Sequence, residues 1–324
     1  MENQAQLSWE ARLGRPAALS AFAAIVLEVA SSVLQVTASQ DSPDRDDPLR
    51  YGKTLTNFDD NASALLGSAV THALATFFAA GALFYLFRAA RHRRPELPQM
   101  VQWLLPVTPV LITIAVIANW SGLNDAADRF DTPGGAADVR ATPSREQRTD
   151  VADYCRRRER SVAARRECRA TNERREAVAN KLVEDNQSTI GAATLFAGSI
   201  ALAFAYVIIA LNAMRAGLLS RFMGILGIIV GALIVLPLLP GIPVVQIFWL
   251  GALGMLFLGS WPGGRGTAWE TGEATPWPTP QKRAGVPRGE EPEADPEPEE
   301  PEPEAEPPGK PHPVSKKRKR KRRR

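Results

Sequence analysis

Six stretches of this 324-residue chain are almost free of charge: residues 17–38, 62–87, 101–120, 189–213, 218–236 and 243–261. Each approaches the ~20 residues that an α-helix needs to cross ~30 Å of hydrocarbon. Lipid offers no water to backbone N–H and C=O groups, so a spanning segment must satisfy them internally, as a helix or a closed barrel. The runs show no alternation of polarity, which selects helix. The expected fold class is all-α: a polytopic membrane helix bundle with six transmembrane helices, three in 1–121 and three in 189–261. A mean hydropathy of −0.15 hides this pattern, because the charge is concentrated in 122–188 and 262–324. Neither of those segments has the apolar content to bury a sizeable core of its own.

Lys and Arg in the short connections set the expected orientation. Arg12 and Arg15 precede the first run, Arg88, Arg91, Arg93 and Arg94 follow the second, and Arg215 and Arg221 flank the turn between the fourth and fifth. Residues 39–61 instead carry six acids against Arg45, Arg50 and Lys53. Both termini are therefore expected in the cytoplasm, with the protein in the cell (inner or plasma) membrane. The 122–188 loop then lies outside, although it holds 14 basic and 13 acidic residues; loops beyond ~60 residues largely escape the rule. The first run could also be read as a signal peptide cleaved after Ala38. Its apolar stretch is longer than the usual ~7–15 residues and contains Glu28, which favours a retained span.

Ionisable groups inside a span are costly and usually face a partner or a wet cavity. Two occur here, Glu28 in the first run and His72 in the second. Ser31, Ser32 and Gln35 share the face of Glu28, and Ser68 and Thr76 lie one helical turn either side of His72. Both acid and base sit about ten residues from the outer ends of antiparallel neighbours, hence at similar depth. Two readings stay open: a Glu28–His72 pair that binds a proton, cation or polar solute, or a hydrogen-bonded pair that joins two helices. Small residues at Ala197, Ala201, Ala205, Gly227 and Gly231 offer faces for close helix packing.

In the long loop, residues 122–143 are rich in Gly, Pro and Asp and read as irregular. Ser144 and Gln147 form a capping-box pattern, and 144–185 lack Gly and Pro, so helix follows. Cys155 and Cys168 are the only cysteines. In one continuous helix they would stand ~20 Å apart, whereas a disulfide needs Cα atoms within ~7 Å. Either the helix breaks near 161–163 into a stapled hairpin, which an oxidising exterior favours, or the thiols stay free or join two chains. Two cysteines with no histidine in the loop fall short of a metal site, and no metal or cofactor is expected. The arginines at 156–158, 160, 165, 166 and 169 could meet lipid headgroups or an anionic partner, but a solvated face laced with Glu–Arg pairs is the preferred reading.

After residue 261 the chain becomes Pro/Gly-rich, then Pro/Glu-rich with ten acids in 290–306. A disordered cytoplasmic tail over 262–324 is expected. It ends in an uninterrupted cationic cap: Lys316, Lys317, Arg318, Lys319, Arg320, Lys321, Arg322, Arg323 and Arg324. Such a cap suits anionic lipid or an acidic protein partner. Without aromatics or a folded reader it does not suit specific nucleic-acid recognition.

The segment GLLSRFMGILGIIVGALIVLPLLPGIPVVQIFWLGALGMLFLG, with WPGGRG and AWETGEATPWP after it, resembles the ends of multi-pass membrane proteins of unknown function in high-GC bacteria. The resemblance covers mainly 214–278 and implies a membrane location with about six spans; it carries no functional motif. No P-loop, H-E-x-x-H or G-x-S-x-G pattern occurs. The expected function is that of a non-enzymatic membrane organiser or interaction protein. The alternative is a small-solute or proton-linked transporter using Glu28 and His72.

Overall fold

The computed structural model describes residues 2–186, 189–236, 243–262, 264–275 and 277. All regular structure among them is helical: α1 Glu2–Ala38, α2 Arg50–Asp60, α3 Ala62–Arg93, α4 Val101–Asp131, α5 Arg145–Arg158, α6 Val162–Asn186, α7 Thr189–Arg215, α8 Arg221–Val235, α9 Val244–Leu258 and α10 Thr267–Thr271. Four of them, α1, α3, α4 and α7, are long and apolar enough to cross a membrane, which marks a membrane protein. The expected fifth and sixth spans correspond to α8 and α9. Each is apolar but only 15 residues long, roughly 22 Å of helix. Residues 237–242 between them lie outside the described residues.

Along α1 the packing is inverted relative to a helix of a water-soluble bundle. On α1 the buried face is Ala17, Ala18, Ala21 and Ala24, while Leu19, Val26, Val29 and Val33 point outward. The bulky residues Trp103, Val110, Phe196 and Ile200 are likewise exposed on α4 and α7. Lipid tails solvate large side chains as well as a protein core does, so small residues collect where backbones must approach. The seam of α7 and α8 shows the requirement directly. A Cβ on Gly227 would fall 2.7 Å from Ala210 Cβ and 2.8 Å from the Trp249 ring, and one on Gly231 would meet the Ala203 carbonyl at 2.8 Å. On α7 the packing face holds Gly198, Leu202, Ala205 and Ile209; of the anticipated small-residue stripe Ala205 is buried, Ala201 half-buried and Ala197 exposed.

Three expectations about the connections are corrected. Residues 39–61 contain α2, and α4 continues as far as Asp131 through part of the 122–143 segment expected to be irregular. The long loop does contribute a core, shared rather than its own: Leu55 and Phe58 of α2, Ala126 and Ala127 of α4, and Ala179 and Leu182 of α6 form a second apolar cluster. The third correction concerns the tail, whose first residues are folded. α10 packs Trp269 into the main bundle, its indole N–H donating to the Leu218 carbonyl at 2.9 Å. An indole that buries its ring and satisfies its N–H outweighs the local Gly/Pro composition.

The helical part of the loop is a hairpin. Ser144 and Gln147 cap α5 reciprocally, the chain breaks at Glu159–Ser161, and Ser161 Oγ accepts from the Ala164 N–H at the start of α6. Cys155 and Cys168 are disulfide-bonded, with Cα atoms 5.9 Å apart.

Candidate functional site

α1 and α3 run antiparallel over most of their length, and two acid–base pairs join them. Near the loop end, where α2, α5 and α6 sit, His72 Nδ1 lies 3.1 Å from Glu28 Oε2. One turn further out, Ser31 Oγ donates to the Ser68 carbonyl at 2.9 Å, Ser68 Oγ returns a bond to the Ser31 carbonyl at 3.0 Å, and Gln35 Oε1 stands 3.3 Å from Ser68 Oγ. The antiparallel register brings these groups together because helical spacing puts Glu28, Ser31 and Gln35 on one face of α1, opposite Ser68 and His72 on α3. Thr76 does not join them. Its hydroxyl donates back to the His72 carbonyl of its own helix at 3.0 Å.

A cleft of about 340 Å³ opens beside this stripe, between α1, α3 and α4. Ser32, Gln35, Ser68 and His72 supply its polar wall, and Leu65 and Val116 its apolar one. Glu28 stands behind the imidazole, its side chain 11% exposed against 42% for His72. An ionised carboxylate only accepts, so against an ionised Glu28 the contact places a proton on Nδ1, and Nε2 is an acceptor while the ring is neutral. Nε2 makes no hydrogen bond among the described residues. Ser68 is bonded to Ser31 and Gln35, not to His72.

Towards the opposite end of the two helices the interface closes. Ala18, Ala21, Ala82 and Leu83 are fully buried, and Ser20 Oγ donates to the Phe78 carbonyl at 2.7 Å. Gly81 leaves just enough room, since a Cβ there would fall 2.8 Å from Ser20 Oγ. At the very end lies the second pair, Glu10 and Arg93, with side chains 4% and 0% exposed. Every N–H of the guanidinium is used. Nη1 donates to Glu10 Oε1 and the Ala89 carbonyl, Nη2 to Glu10 Oε2 at 3.0 Å and the Ala268 carbonyl at 2.7 Å, and Nε to Ala268 again at 3.0 Å. Tyr85, stacked between Trp9 and Trp269, donates to the Glu10 carbonyl at 3.0 Å. Sequence reasoning counted Arg93 only as a topological charge and passed over Glu10, which lies outside the apolar run.

A third carboxylate organises the loop end. Glu176 of α6, 2% exposed, accepts from the backbone N–H groups of Tyr51 at 2.7 Å and Gly52 at 3.1 Å. These are the second and third residues of α2, so a side chain far along the sequence caps that helix and occupies its positive end. Burial raises the Glu176 pKa and outweighs the two N–H donors, with the charge of Asp47 adding to the rise. Asp47 itself is held below its usual value: burial opposes this, but Lys53 and the Leu49 N–H prevail. Beside Glu176 is a half-open pocket of about 380 Å³ lined by Asp41, Lys53, Asn57, Asp60, Asn172 and Arg175.

Among the described residues, no three His, Cys, Asp or Glu side chains converge as metal ligands would. The cationic cap at 316–324 lies outside the described residues. Comparisons of the chain with protein-family models, with curated proteins and with solved structures returned no match.

Proposed function

We propose that this is a non-enzymatic membrane interaction protein of the cell membrane, with six spans and both termini in the cytoplasm. α8, α9 and the uncharged residues between them would complete the fifth and sixth spans. The observation that carries the reading is the cap of α2, α5 and α6. Glu176 ties α6 to α2, the shared cluster under α2 anchors them to α4 of the bundle, and the hairpin is closed by a disulfide, yet the arginines of α5 and the hairpin turn remain exposed. A surface held this firmly, next to no catalytic constellation, suits docking of a partner better than turnover of a substrate. The test is in-cell crosslinking from a photoreactive residue at Arg160, compared with one at the lipid-facing Phe196. A discrete crosslinked species from position 160, lost when Glu176→Ala and Cys155→Ser loosen the cap, is expected. No species from any exposed cap position would overturn the reading.

The Glu28–His72 contact supports a second reading, a small-solute or proton-linked transporter. Glu28→Gln should then abolish flux in proteoliposomes without unfolding the protein. Flux unchanged by that substitution would rule it out.

A further inference from the structure

We propose that the cleft between α1, α3 and α4 is a one-sided binding site for a small aliphatic amine in its ammonium form, entering from the loop end and donating to His72 Nε2. The proposal goes beyond the docking role of the cap and shares its residues with the transporter reading, but it requires no passage across the membrane.

Four observations converge on that ligand class. First, the wall that faces the cleft offers acceptors. His72 Nε2 makes no hydrogen bond among the described residues, Ser32 Oγ lines the space, and a neutral imidazole that donates through Nδ1 to the Glu28 carboxylate presents Nε2 as an acceptor. A ligand with N–H donors meets both. Second, the charge is one-signed. Glu28 stands directly behind the ring, and 17–38, 62–87 and 101–120 of the three helices contain no Lys or Arg. A carboxylate in so apolar a setting creates a negative potential that a cation relieves. Third, aliphatic side chains share the lining, with Val36, Leu65 and Val116 available to cover an alkyl chain while the head reaches the polar stripe. A bare metal ion would leave that wall unused and find too few oxygen ligands. Fourth, the α1–α3 seam is closed on the far side of His72. Beyond His72 the two helices meet through the fully buried Ala18, Ala21 and Ala82, then through Glu10 and Arg93. A solute in the cleft has no exit along that seam.

Both native cysteines are bonded to each other, so Ser32→Cys introduces a single thiol into the full-length chain. The experiment measures the rate at which a membrane-impermeant thiol reagent modifies that cysteine in nanodiscs, with n-butylammonium chloride or n-butanol as the probe. Butylammonium should slow labelling at least about tenfold, a difference expected of charge-assisted contacts, whereas butanol should leave it within about twofold. Adding Glu28→Gln or, separately, His72→Phe should remove the protection, and the two variants guard against either one failing to fold. Equal protection by butanol, protection that survives both substitutions, or a thiol that never reacts would overturn the proposal. Radiolabelled butylammonium in proteoliposomes separates the readings. Protection without flux sustains this site and defeats transport, protection with flux overturns the one-sided site and sustains transport, and crosslinking from the cap is independent of both.

Discussion

Glu10–Arg93 and Glu28–His72 join the same two helices, about 27 Å apart along α1 at 1.5 Å per residue. They solve the problem of a buried carboxylate in opposite ways. Arg93 spends all its donors on fixed acceptors and is sealed by Tyr85, Trp269 and α10, so nothing is left for a ligand. His72 bonds Glu28 through one nitrogen and turns the other to a cleft. A closed pair of the first kind stabilises the fold and fixes register. An incompletely satisfied one keeps its capacity to bind, and that difference separates structure from function more reliably than the mere presence of a charge.

The comparison can be broken most forcefully at its closed end. Arg93→Ala strands a buried carboxylate and should cost about 3–5 kcal/mol, read as a large drop in thermal stability in detergent; a small drop would mean that water reaches Glu10. Next in size is the hairpin. Reducing or replacing Cys155 and Cys168 removes a cross-link worth roughly 3 kcal/mol, and because α5 packs on α6, hydrogen exchange should rise in α5 and the hairpin turn while the bundle stays protected.

Glu176 is an intermediate case, buried yet accepting only backbone N–H bonds. Glu176→Ala should destabilise the cap by about 2 kcal/mol, visible as faster exchange at Tyr51 and Gly52. Its raised pKa means that the folded cap binds more protons than the unfolded one, so cap stability should fall as pH rises above about 4.5 towards the higher folded value. Glu176→Gln should flatten that slope. Asp47, held low, acts oppositely, and its contribution is lost as pH falls through and below 3.8. The smallest stability effect belongs to Glu28→Gln. It keeps an acceptor for His72 and should change thermal stability by no more than about 1 kcal/mol, in contrast to its large effect on amine protection.

What was legible in the sequence followed from periodicity and exclusion. The apolar runs mark the helices of the bundle, and the Ser144–Gln147 pattern and the cysteine spacing anticipate the stapled hairpin that the structure contains. Glu28, Ser68 and His72 could be paired because two antiparallel helices at similar depth leave few alternatives. Glu10, Arg93 and Trp269 were not legible. Each lies in a segment whose local composition reads as flank or tail, and each is ordered by partners distant in the sequence. Glu176 was hidden for the same reason, since nothing near it in sequence announces that α2 needs a cap. Ser32 and Gln35 shared a face with Glu28, but only the position of α4 shows that this face borders a cleft.

The contrast between the two ends of the α1–α3 interface is tested most directly by side-resolved thiol labelling of two variants in oriented vesicles. Ser32→Cys should react with an impermeant reagent added on the side of the disulfide hairpin and not from the other side, while Ala18→Cys, in the closed half, should react from neither. Ala18→Cys labelled as fast as Ser32→Cys, or Ser32→Cys reacting from both sides, would contradict a cleft that is open at one end and sealed at the other.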